Sequence, residues 1–135
     1  MSSIIKFNDK VKLIISDVDE TIADLYVNAS AEMIRELEKL LLEGRILFFI
    51  SGQSVQSVQK RITNHINKKL RKQIIVGHCS GAEGWGFDKE GQLLQSPFYS
   101  LYKNLANSQK RKWRAIIQEL IREFKLEVFP TMPIS

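Results

Sequence analysis

In the segment LIISDVDETIA, residues 13–23, two aspartates, Asp17 and Asp19, stand at alternate positions directly after an apolar run. Two carboxylates this close repel, so the arrangement needs a cause. An ordinary polar loop is the bland one. The sharper one is chemistry: one carboxylate attacks an electrophile while the other handles a proton. With both ionised, a cation is needed. Oxygen ligands select a hard ion such as Mg²⁺, kept partly hydrated and bridged to substrate phosphate. Thr21 can fix the turn through its hydroxyl. Ser51 offers a second hydroxyl after another apolar run, and Gly52 permits close backbone approach. Together these residues ask for a nucleophile, a metal and a phosphate in one place.

The elements that must position them follow from periodicity. VKLIIS at 11–16 is short, apolar and β-branched, the pattern of a strand buried on both faces. If it ends at Asp17, the turn that follows can bring Asp19 back over the same pocket. A helix is expected from Ala31 to Glu43, with Ser30 as N-cap and the stripe Met33, Ile34, Leu37, Leu40, Leu41; Gly44 stops it. ILFFI at 46–50 is a second strand, and a second helix is expected from Val55 to Leu70. A third strand covers Gln73–Val76. Strand–helix–strand–helix–strand implies βαβ crossovers and a parallel sheet, with strand ends on one edge, where ligands of open α/β sheets bind. Asp17, Asp19 and Ser51 fall at such ends.

From Gly81 the texture changes. Trp85–Phe87 and Gln92–Leu94 read as a hairpin around Asp88–Gly91. A further helix is expected over Ser108–Lys125, with Trp113 in a core-facing stripe, and a strand over Leu126–Phe129. His65 reads as partly buried, and Cys79 as a small residue near the core. His78 could face the site.

The chain has 135 residues, 44% hydrophobic and 26% charged, as expected for a globular protein. No apolar stretch is long enough to cross a bilayer, so no membrane role is expected. A single cysteine rules out an intrachain disulfide, and a reducing, cytoplasmic setting is expected. The net charge is +5. Its local clusters, among them Lys60–Arg61, Arg71–Lys72 and Lys110–Arg114, are expected to be solvated helix faces. A phosphate-bearing partner is the alternative. The signatures of RNA-binding modules are missing, which disfavours nucleic acid.

The motif DVDET after an apolar strand resembles the D-x-D-x-T signature of the haloacid dehalogenase-like phosphohydrolases. ILFFISGQS resembles their second signature, and SGAEGWGFDKEGQLL is similar to the segment that leads into an inserted cap in the sugar-phosphatase branch. The resemblance covers residues 11–95. It implies an α/β fold: a Rossmann-like parallel sheet with flanking helices over residues 1–83, then the hairpin and beginning of an α+β cap over 84–135. It also implies a Mg²⁺-dependent phosphatase acting on a small phosphorylated metabolite such as a sugar phosphate. Asp17 would be the nucleophile that forms an aspartyl-phosphate, and Asp19 the general acid and base. The Asp17 carboxylate and the Asp19 carbonyl would hold Mg²⁺. Ser51 and Gly52 would bind phosphate, with Thr21 supporting the motif. Glu20 stands where this branch more often has glycine.

The family's later signatures, a lysine and an acidic loop, have no counterpart here, so the chain is expected to be an incomplete fragment. Its first strand would then be an apolar sheet edge. A missing C-terminal segment, a dimer or the helix at 108–125 would cover that edge. Competing functions are a phosphomutase of the same fold, an inactive module acting through protein interaction, and a nucleotide-sugar transferase using D-x-D for its metal. A phospho-receiver domain fits poorly, since the third strand ends in Gly77, His78 and Cys79.

Overall fold

The computed structural model describes residues 8–127. They divide into two compact units between Leu101 and Tyr102. The first unit contains β1 (Leu13–Asp17), α1 (Ala31–Leu42), β2 (Ile46–Ile50), α2 (Val55–Arg61), β3 (Ile74–His78), β4 (Glu83–Trp85) and β5 (Tyr99–Ser100). The five strands form one sheet in chain order. β1, β2 and β3 are parallel, and β4 and β5 extend the sheet antiparallel. The architecture is α/β, with β4 and β5 making the sheet mixed rather than wholly parallel.

Register fixes the edge that matters. Asp17 pairs with Ile50, and Ile50 with Gly77, so β1, β2 and β3 finish level with one another. The ladder continues one step past β2, where the Ser51 amide donates to the Gly77 carbonyl at 2.9 Å.

One face of the sheet carries the core. Leu47, Phe49, Ile74 and Val76 are buried with Ile34, Leu37 and Leu41 of α1 and Val55 and Val58 of α2. β1 differs from the expected fully buried strand. It forms an edge, and Leu13 and Ile15 are 46% and 57% exposed. Among the described residues only the α1–α2 side of β1 is covered, so its burial alternates with the pleat.

α1 forms as its sequence predicts. The Ser30 Oγ accepts from the Met33 amide at 3.1 Å, and Gly44, at φ +82°, turns the chain out of the helix. The second helix does not. α2 stops at Arg61, nine residues short of Leu70, and two 3₁₀ turns follow, Thr63–His65 and Lys68–Gln73. Side chains compete for the backbone groups that a longer helix would use. Arg71, buried, donates to the carbonyls of Ile66 (2.9 Å), Asn64 (3.1 Å) and Gly91 (3.3 Å). Asn67 caps Lys69, while its own amide donates to Glu38 of α1 at 2.7 Å. The apolar stripe survives the break, since Ile62 and Ile66 remain buried. His65, expected to be partly buried, is exposed, with Nε2 2.9 Å from the Lys60 carbonyl.

The expected hairpin is present as a Phe87–Leu93 bridge closed at Gly91. β4 overlaps the expected hairpin only at Trp85, and its pairing with β3 and with β5 was not expected.

The second unit holds part of α3 (Leu101–Asn104) and α4 (Asn107–Glu123). Arg114 donates to the Tyr102 hydroxyl at 3.0 Å, and Lys110 lies 4.3 Å from the centre of that ring. The stripe on α4 is not core as expected: Trp113 is 62% exposed, and Ile117 and Leu120 are also exposed. Among the described residues of this unit only Tyr102 and Leu105 approach that face, sharing an apolar pocket with Trp113 and Ile117. Leu126 and Glu127 are not in a strand, and the rest of the strand expected over Leu126–Phe129 lies outside the described residues. No helix of the described residues is long and apolar enough to cross a membrane.

Candidate active site

Asp17 is the last residue of β1, on the carboxyl edge of the sheet. It is exposed, and its carboxylate has no hydrogen bond or ion pair among the described residues. Val18, fully buried, anchors the chain behind it. The Val18 carbonyl accepts from the amides of Thr21 (3.3 Å), Ile22 (2.9 Å) and Ala23 (3.1 Å), and Glu20 N–H returns to the Ala23 carbonyl at 2.9 Å. This tight turn places Asp19 beyond the strand end. Thr21 takes part through its amide; its hydroxyl, expected to fix the turn, makes no hydrogen bond among the described residues.

The turn forces Glu20 into the left-handed region, φ +59°. That conformation favours glycine and costs another residue about 1 kcal/mol. Glu20 offsets the cost by accepting the Leu25 amide on Oε1 at 3.1 Å. Glu20→Ala keeps the strain and loses the bond, so it should lower stability by about 1 kcal/mol, and Glu20→Gly by less than half of that. Urea unfolding of the two variants checks the order.

Asp19 does not stand free. Its Oδ1 accepts from Arg61 Nη1 at 2.7 Å and from Gln53 Nε2 at 3.3 Å. Arg61 is one of the basic residues expected on a solvated helix face; it is instead 3% exposed. Burial of a charge requires partners, and Arg61 finds them on the segment after β1. Its spacing held a signal, since Arg61 follows Val58 by three residues and so shares that buried helix face. Gln53 and Ser57 complete the group: the Ser57 hydroxyl donates to Gln53 Oε1.

Ser51 follows β2, whose last residue, Ile50, pairs with Asp17. Its Oγ accepts from the Gln53 amide at 3.0 Å, which leaves the hydroxyl proton to donate. At 1% exposure it does not offer that hydroxyl to solvent. Gly52 is exposed, and a Cβ built on it would meet only Ser80 Oγ, at 4.0 Å. Its backbone is open to close approach. The Ser80 amide donates to the Ser51 carbonyl at 3.0 Å, which brings the end of β3 alongside.

That strand end carries a second polar group. Cys79, expected near the core, is exposed at φ +49°, with Sγ 3.1 Å from His78 Nδ1. His78 Nε2 donates to Glu83 Oε2 at 2.8 Å, and Ser100 Oγ donates to Glu83 Oε1 at 2.7 Å. Burial works to raise the Glu83 carboxyl, but the bonds from Ser100 and His78 and the histidine's charge outweigh it and hold the carboxyl below its usual range. A depressed carboxyl contributes stability above its unfolded value and loses it as pH falls through the folded one. Glu83→Gln should therefore cost about 1 kcal/mol near neutrality. The gap to wild type should close as pH falls below 4.5, the ordinary glutamate value. Urea unfolding from pH 7 to pH 3 reads both.

Among the described residues, no three His, Cys, Asp or Glu side chains gather to hold a metal. The Asp17 carboxylate, without a partner among the described residues, and the Asp19 carbonyl are the oxygen donors that would be available to a hard cation. Both are oxygens, as such an ion requires, and it commonly keeps several waters.

No family model matches the chain, and no curated protein matches it. Solved structures do. A phosphatase of the haloalkanoate superfamily from Bacteroides thetaiotaomicron aligns with a TM-score of 0.56 at 18% identity, over 92% of this chain and 40% of its own. The IMP-nucleotidase of Plasmodium falciparum, in its IMP-bound form, aligns with a TM-score of 0.58 at 16% identity, over 90% of this chain and 37% of its own. A haloacid dehalogenase-like hydrolase from B. subtilis aligns with a TM-score of 0.57 at 21% identity, over 84% of this chain and 34% of its own. The chain thus spans less than half the length of these structures. A level carboxyl edge on β1–β3, an aspartate ending β1, a serine just after β2 and these alignments agree, and the chain has the haloacid dehalogenase-like fold.

Proposed function

We propose that this chain carries the nucleophile and acid–base half of a Mg²⁺-dependent phosphatase for small phosphorylated metabolites such as sugar phosphates. The observation that carries the reading is the pairing at the sheet edge: Asp17, exposed and unpartnered, ends β1 directly beside the β2 end that leads into Ser51 and Gly52. The fold, shared with an IMP-nucleotidase and other phosphatases, supports it.

Asp17 attacks the phosphorus through a carboxylate oxygen. The bond to the leaving oxygen breaks, and an aspartyl-phosphate forms. Asp19 gives that oxygen a proton. It then takes one from water, which attacks the phosphorus and releases phosphate from Asp17. The Gly52 amide approaches a phosphate oxygen directly. Ser51, 1% exposed, would donate its hydroxyl proton to another only when that hydroxyl becomes accessible. The Asp17 carboxylate and Asp19 carbonyl would hold Mg²⁺, which when bound offsets the charge of carboxylate and phosphate. Glu20 shapes the entrance.

The test is hydrolysis of p-nitrophenyl phosphate by the full gene product. Turnover that requires Mg²⁺ and is lost in Asp17→Asn supports the reading. Turnover that survives Asp17→Asn refutes it.

A further inference from the structure

Arg61 is the most fully bonded charged side chain near the candidate site. Its Nε donates to the Val27 carbonyl at 2.9 Å and its Nη2 to the Asp24 carbonyl at 2.7 Å. Its Nη1 donates to Asp19 Oδ1 at 2.7 Å and to Gln53 Oε1 at 3.3 Å. Four of the five N–H donors of a guanidinium are thereby committed to protein acceptors. A cation so occupied is not a phosphate ligand. Three of the four contacts fall on one stretch of chain, at Asp19, Asp24 and Val27. A fourth tie runs the other way, from the Ala29 amide to the Arg61 carbonyl at 2.9 Å. α2, through Arg61, holds the segment that follows the nucleophile.

The two oxygens of Asp19 are unequal. Oδ1 is taken by Arg61 and Gln53. Oδ2 meets only Gln53 Nε2, at 3.5 Å, the limit of a hydrogen bond. The pair is asymmetric in exposure as well: the Arg61 side chain is 4% exposed and that of Asp19 23%. One end is fixed inside the fold and the other reaches the surface.

We infer that Arg61 is a positioning residue for Asp19: it grips Oδ1, fixes the carboxylate plane and leaves Oδ2 as the atom that carries the proton. The inference rests on the phosphatase reading above. Lysine cannot replace the arginine, because a single ammonium cannot serve acceptors on three sides of a planar fork. Misplacing a proton-transfer group by about 1 Å costs on the order of a hundredfold in rate.

The experiment is a double-variant cycle on the full gene product, with p-nitrophenyl phosphate and Mg²⁺. Arg61→Met should lower kcat about a hundredfold with KM changed by only a few-fold, and Arg61→Lys should recover little of it. In an Asp19→Asn background, Arg61→Met should have no further effect on kcat, because it acts through the group already removed. A merely structural clamp predicts that the two effects multiply, and that result overturns the inference. Should Arg61→Met fail to fold, Asp19→Asn in the full gene product keeps the question open to measurement. The Arg61 guanidinium resonances should shift and exchange faster with water than in wild type. Unchanged resonances overturn the contact and with it the inference. An inactive wild-type gene product sinks the phosphatase reading together with the inference. An active wild type whose effects multiply sinks the inference alone.

Discussion

Replacing Asp17 by asparagine should lower phosphatase kcat at least about a thousandfold, the scale of removing an attacking group. The side chain keeps its volume, exchanges one oxygen for an NH2 and loses its negative charge. Because Asp17 is exposed and makes no hydrogen bond or ion pair among the described residues, the change should leave stability within about 0.5 kcal/mol. Loss of rate without loss of fold separates a chemical role from a structural one. Acid-quenched wild-type enzyme should carry one extra phosphoryl mass that Asp17→Asn lacks. Asp9→Asn, another exposed carboxylate change, should leave kcat unchanged. A variant at position 17 that still turns over, or that fails only by unfolding, removes Asp17 from the chemistry.

Gly91→Ala should lower stability by about 2–5 kcal/mol, a large part of the 5–15 kcal/mol typical of a domain. Two costs add. The backbone at Gly91 is left-handed, φ +77°, which disfavours any Cβ by about 1–2 kcal/mol. A Cβ built there would lie 2.3 Å from the Lys68 carbonyl oxygen, so backbone, not a flexible side-chain tip, must move. That movement would pull on the Arg71 bond to the Gly91 carbonyl, which ties the hairpin to the 3₁₀ turn at Lys68–Gln73. Gly81→Ala is the internal control. Its φ is +87°, yet nothing lies within 4 Å of its built Cβ, so only the conformational cost of about 1 kcal/mol applies. Urea midpoints of the two variants measure the difference. Equal losses would show that the hairpin does not pack on the turn as described.

Much of the sheet was legible from residue pattern. β1, β2 and β3 are short β-branched or aromatic runs, α1 carries its own cap and stop, and Asp17 and Ser51 stand where such runs end. These are local facts, fixed by spacing along a few residues, and folding does not alter them. The break of α2 at Arg61 is of another kind. Its apolar stripe runs on at helical spacing, and only the competing bonds from Arg71, Asn67 and Glu38 show why the helix stops. The partner of Asp19 was equally hidden. Arg61 lies 42 residues along the chain, and a long-range ion pair leaves no periodicity that would join its two halves. Exposure was hidden too. The stripe on α4 has the spacing of a core helix, but spacing states only that a face is apolar, and what covers it is a matter of tertiary structure. The sequence alone therefore determined where β1 and β2 end, because that depends on neighbours in the chain, whereas β3 runs to His78, two residues past its expected end. The tertiary structure decided which carboxylate is gripped and which is left open, because charge pairing depends on distance in space.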